Sequence, residues 1–320
     1  MVITGAARSG KTTVGNILGS CRNAEHFDDP WLPMMIPILA SFGLLPQHLA
    51  IQMFQTCLIE LFYDRILMRH VNFRPQDLSS VWRQKTPGEI FNRLMGLHSR
   101  EDVRTYARDN HLTLVLTLSD TLPFCDFFWA ALPGCRVIHV LRDGLDVALE
   151  VVKKGWLADE EHLRPAHAMP YRSYARPGDG NAYYLPFWLE DGAEERYLGS
   201  SQLARGLHYW HRLVEMAPLA TEEDGRDRNL RVLKLADLLD HPRETVSSLL
   251  ESLELTGTEL TERLIANVAP PTENGAPLEF LTEEEAAELG AVGEIYERLG
   301  LSSRRIDSLL VNANSRMSNQ

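Results

Sequence analysis

The chain has 320 residues, 44% of them apolar, and a formal charge of −12; that is enough to bury a large core, and too acidic for a broad nucleic-acid footprint, which needs a basic face. Its four cysteines (Cys21, Cys57, Cys125, Cys135) lack CxxC spacing, so they predict ordinary reduced thiols rather than a zinc or disulfide framework. No apolar run reaches 18 residues and residues 1–18 lack a basic leader and a cleavage pattern, so the expectation is a cytoplasmic protein that engages no membrane.

In chain order, Val2-Ile3-Thr4 reads as a buried strand that breaks into a Gly-rich turn at Gly5 and resumes as a helix. Residues 30–111 are mostly amphipathic helix, too long for a simple crossover, and predict a helical insertion over one edge of a sheet. Short β-branched runs at Leu112–Leu118, Arg136–Leu141 and Leu230–Leu235 predict further parallel strands. Between them, residues 157–201 carry Pro165, Pro170, Pro177, Gly178, Gly180 and Pro186 among many aromatic residues, the composition of a lid or binding loop. A terminal helix is expected from Thr282, a capping residue, to Gly300. The fold class expected is α/β: a P-loop, doubly wound, mostly parallel sheet flanked by helices, in a single domain over residues 1–320.

Gly5 to Thr12 fits G-x-x-x-x-G-K-[ST] at every fixed position and lies between a strand and a helix, the context that motif needs. Glycines let the backbone curl so that successive N–H groups point inward, and the helix starting near Lys11 adds its positive end. A phosphate belongs there.

The same stretch, "GAARSGKTT", resembles the G-x-x-R-S-G-T-T loop of sulfotransferases that use 3′-phosphoadenosine 5′-phosphosulfate (PAPS), with Arg8, Ser9, Gly10, Thr12 and Thr13 matching. Residues 132–148, "LPGCRVIHVLRDGLDVA", resemble that family's strand and 3′-phosphate motif, and residues 231–255 its later strand followed by a helix. The resemblance implies that Gly5, Arg8, Ser9, Gly10, Lys11, Thr12 and Thr13 grip the 5′-phosphosulfate and that Arg142 grips the 3′-phosphate. It further implies that Asp28 or Asp29, in "HFDDPW", takes a proton from a hydroxyl or amine of a small-molecule acceptor. Arg8 and Lys11 would stabilise the moving group, with no metal required. Glu25 and His26 are alternatives for the base.

Three departures stand out. Lys11 replaces the family's first threonine, Glu150 stands where a serine is usual, and "LTLSDTLP" lacks the family's Lys-x-Pro. A carboxylate facing a phosphate repels it, so Glu150 must turn away or the 3′-phosphate is held differently; Lys153, on the same helical face, is a candidate substitute cation. "GKTTVGNIL…FDD" also resembles small-molecule kinases of the shikimate type, which implies ATP as donor, Mg²⁺ on Thr12 and Asp28 or Asp29 on the acceptor. A nucleotide-binding module without catalysis is the third class. Length favours the sulfotransferase scaffold, because a shikimate-type kinase has no counterpart to residues 132–148 or 231–255.

Several residues have plainer roles. His139 and Trp210 read as core, Asp143 and Asp237 as structural, and "KTP" at 85–87 as a helix start with Pro87 in the first turn. His208 and His211 have no carboxylate at metal-ligand spacing along the chain, which argues against zinc there.

Overall fold

The structure, a computed structural model, describes residues 1–164, 171–217, 229–269 and 281–317. In chain order the elements are β1 (Val2–Thr4), α1 (Lys11–Gly19), β2 (Ala24–Asp28), α2 (Trp31–Ser41), α3 (Gln47–Ile66), α4 (Pro87–Gly96), α5 (Arg100–Asp109), β3 (Thr113–Thr117), α6 (Cys125–Ala131) and β4 (Val137–Leu141). They continue as α7 (Gly144–Lys153), α8 (Asp159–His162), β5 (Tyr171–Ala175), β6 (Ala182–Pro186), α9 (Glu194–Gly199), α10 (Gln202–Glu215) and β7 (Leu230–Lys234). The last are α11 (Leu235–Asp240), α12 (Pro242–Leu253), α13 (Glu259–Ala266), α14 (Glu283–Arg298) and α15 (Arg304–Met317). Contacts divide the chain into two compact units where the sequence reads as a single domain. One holds Met1–Gly5, Ser9–Leu141 and the described residues of 218–270; the other holds Ala6–Arg8, Arg142–Ala217 and the described residues after 280.

The first unit is built on a five-stranded sheet of order β2-β3-β1-β4-β7 in which every pairing is parallel. All four strands expected from apolar runs are present. β1 and β4 are buried throughout, which is why their sequences are near-continuously apolar, whereas β7 lies at the sheet's edge and leaves Val232 exposed. Ile3, Val115 and Ile138 of the sheet pack with Val14, Ile17 and Leu18 of α1 in one cluster, each fully buried aliphatic side chain contributing about 1.5–3 kcal/mol relative to exposure. Connections leave β1 and β4 toward opposite edges, so a topological switch point lies between them, where parallel sheets bind ligands outside the strands' carboxyl ends.

The strand absent from the apolar pattern is β2, whose Glu25 and His26 are both fully buried. Between β2 and β3, residues 30–111 form α2 to α5, and α4 starts as "KTP" predicts. Thr86 caps it in a reciprocal capping box with Glu89, and Pro87 sits in the first turn.

In the second unit α7, α10 and α14 pack together. Close approach is made possible by Gly144, where a Cβ would lie 2.7 Å from the Trp210 ring; Trp210 is a core residue. Within 157–201 the chain forms α8, the antiparallel β5–β6 hairpin and α9, with Phe187, Trp188 and Tyr197 buried; Pro165 and Pro170 lie outside the described residues. The expected terminal helix is α14, capped by Thr282 in a box with Glu285. All four cysteines are free thiols. Among the described residues no helix is long and apolar enough to cross a membrane.

Candidate active site

The chain from β1 to α1 turns through three residues of positive φ: Gly5 at 142°, Arg8 at 66° and Gly10 at 92°. At Gly5 a side chain is impossible, because a Cβ would lie 2.5 Å from the Val140 carbonyl oxygen. Arg8 bears a conformation costly for a residue with a Cβ, and such strain concentrates at binding sites. Gly10 ends the turn as N-cap of α1, which has neither a side-chain cap nor an acidic residue in its first turn. By contrast α4, α5, α13 and α14 each carry a capping box. An uncapped first turn with its positive dipole end suits an anion.

Within the first unit, Lys11 is buried and places Nζ 3.5 Å from Ser9 Oγ. Thr12 Oγ1 donates to Asp28 Oδ1 at 3.2 Å. Burial, then the neighbouring Asp29 carboxylate, push the Asp28 carboxyl up to about 6 against the opposing pull of Thr12 and Lys11. Asp29 is held elsewhere: its two oxygens accept from the Ser119 amide at 2.7 Å and the Ser119 hydroxyl at 2.8 Å, and its φ is 45°.

The other two candidates for a base have structural partners. Glu25 is surrounded by Lys85 at 3.3 Å, Arg93 at 2.5 Å and Arg65 at 3.6 Å. Burial raises its pKa, but the three cations prevail and hold it at about 2. The orientation of the Gln84 amide settles the His26 tautomer. Its Oε1 accepts from Arg65 at 2.6 Å, so its Nε2 donates to His26 Nδ1 at 2.9 Å, leaving His26 Nε2–H for Thr117 Oγ1 at 2.8 Å. Burial and then Arg65 push His26 down to about 3, and the ring lies under α1, where a Cβ at Gly15 would come within 2.2 Å of its Nε2. His139 is likewise buried and pushed down, to about 4, by burial and then Lys11.

Within the second unit, Arg142 Nη1 donates to the Arg8 carbonyl oxygen at 2.8 Å, and the Ala7 amide donates to the Tyr209 hydroxyl at 2.6 Å. The Arg8 guanidinium meets Glu150 Oε2 at 3.1 and 3.3 Å. Glu150 therefore turns neither toward open solvent nor away from the loop: it pairs with the loop's own arginine. Lys153 is exposed. Asp143 caps α7 by accepting from the Asp146 amide. Ser119 and Tyr209, which the sequence reading did not single out, lie 90 and 202 residues from their partners, and no local pattern announces either.

Solved structures to which this chain is similar are sulfotransferases. One from Mycobacterium avium is 12% identical, with 94% of this chain and 77% of that chain covered at a TM-score of 0.45. One from Alicyclobacillus acidocaldarius is 12% identical, with 96% and 97% covered at 0.42. The sulfotransferase domain of a Synechococcus olefin synthase is 11% identical, with 87% and 80% covered at 0.40. No protein-family model matches the chain, and no curated protein matches it.

Proposed function

We propose that the protein is a PAPS-dependent sulfotransferase that moves a sulfuryl group to a hydroxyl or amine of a small-molecule acceptor. The observation that carries this reading is the R-S-G-K-T-T turn itself. It is curled by three positive φ angles, opens on an uncapped helix, and has Arg142 hydrogen-bonded to its Arg8 carbonyl. Gly5, Ser9, Gly10, Lys11, Thr12 and Thr13 would hold the 5′-phosphosulfate and Arg142 the 3′-phosphate. PAPS would supply the activated sulfuryl group, with adenosine 3′,5′-bisphosphate leaving.

The chain's own residues divide the remaining work. Arg8 and Lys11 are placed on the turn to stabilise charge that develops on the transferring oxygens. Asp28 is the base in preference to Asp29, because Asp29 spends both oxygens on Ser119 while Asp28 carries a raised pKa suited to accepting a proton near neutrality. To engage a donor, Arg8 exchanges the Glu150 carboxylate for an anionic oxygen of the ligand. The acceptor's apolar contacts are assigned to the helices of 30–111.

One observation favours a second reading, an ATP-dependent small-molecule kinase. The hydroxyl that would bind Mg²⁺ in such an enzyme, Thr12, lies 3.2 Å from Asp28. Thermal unfolding with adenosine 3′,5′-bisphosphate against ATP plus Mg²⁺ separates the two. Ligand at about 100 Kd stabilises by ~2.7 kcal/mol. A rise with the bisphosphate supports the sulfotransferase, and a rise confined to ATP–Mg²⁺ replaces it with the kinase.

A further inference from the structure

The second unit holds a side-chain cluster that the reading above does not use. His208 and His211 stand one turn apart on α10, and Glu288 reaches them from α14; one ligand atom from each lies within 4.8 Å of the other two. His208 is buried, with Nδ1 3.1 Å from Glu288 Oε2 and Nε2 3.0 Å from Glu190 Oε2. His211 Nδ1 is buried and has no hydrogen-bond partner among the described residues, while its Nε2 lies 3.9 Å from Glu215. A buried polar atom left unsatisfied is destabilising, so the orphan nitrogen calls for a partner.

We propose that His208, His211 and Glu288 form a binding site for a divalent transition-metal ion of the zinc type, joining α10 to α14. Two imidazoles and a carboxylate are a donor set that Zn²⁺ accepts, with water in the fourth position. With bonds of about 2.0–2.1 Å a tetrahedral ion holds its ligands roughly 3.4 Å apart. The Nδ1 to Oε2 separation of 3.1 Å is close to that already, and side-chain rotation must draw in the remainder. In the loaded site the metal takes the place of the proton between His208 Nδ1 and Glu288. Glu190 then remains on His208 Nε2–H, the outer carboxylate that orients metal-bound histidines and raises their basicity. Arg196, 3.6 Å from Glu288 Oε1, leaves Oε2 to the metal.

The test uses the full chain, stripped with chelator and titrated with Zn²⁺ alone, and with Co²⁺ as a visible-absorption probe. The expected result is one equivalent bound, a raised unfolding temperature, and Co²⁺ bands of a four-coordinate site. His211→Ala is the decisive variant, since among the described residues that ring's only ion-pair contact is the 3.9 Å one to Glu215, and the metal-free fold should survive its removal. It should weaken Zn²⁺ binding at least tenfold and abolish the Co²⁺ bands. Glu288→Gln should do the same; should it fail to fold, His211→Ala alone decides. Absence of binding by the parent chain, or equal binding by His211→Ala, overturns the proposal.

Discussion

Two carboxylates three residues apart on β2 meet opposite fates. Glu25 is buried among Lys85, Arg93 and Arg65 and held at about 2, whereas Asp28, with Asp29 beside it, is pushed up to about 6. Burial raises both. What separates them is the count of neighbouring charges, three cations against one lysine and a like-charged neighbour. Environments that drive similar groups apart are how one strand can supply both a structural anchor and a base.

The sharpest break in that comparison is Asp28→Asn. It should slow group transfer by about 10²- to 10⁴-fold with little change in unfolding midpoint, read as adenosine bisphosphate release from PAPS with a panel of phenols and amines. Glu25→Gln should do the reverse. It strands buried cations and should cost about 3–5 kcal/mol in urea unfolding; a loss under about 1 kcal/mol would contradict the anchoring role.

The two groups also differ in pH range. In its proposed role as base Asp28 must be ionised, so the rate should fall as pH drops through about 6, not near 4 as for an ordinary aspartate. Glu25 has a folded pKa below its unfolded value near 4.5, so its contribution to stability is complete above that value and drains only as pH falls toward about 2. Asp29→Asn removes the like charge while keeping an acceptor for the Ser119 amide, and should move the acid limb of the rate profile to lower pH. Smallest is Glu150→Ser. Releasing a partly exposed pair with Arg8 is worth about 0.2–1 kcal/mol, so bisphosphate binding should tighten by no more than a few-fold, and unchanged affinity would show that the pair does not compete with the donor.

Local pattern carried the loop, four of the five parallel strands, the helix start with Pro87 in its first turn and the cap at Thr282, because each depends on consecutive residues: glycines that permit a curl, short apolar runs, a proline suited to a first turn, a hydroxyl just ahead of acidic residues. It did not carry β2, since Glu25 and His26 look like surface residues until Arg65, Gln84, Lys85 and Arg93 arrive from α3, α4 and the turn before it. Nor did it carry the partner of His208, because Glu288 lies 80 residues further on.

By itself, then, the sequence determined that a curled, cation-bearing turn opens a helix behind a buried parallel strand, since steric and dipolar rules act over a few residues. Only the tertiary structure decided which carboxylate is neutralised, which stays available, and what Arg8 holds. Those are Coulomb and desolvation effects, set by groups that are near in space and far apart along the chain.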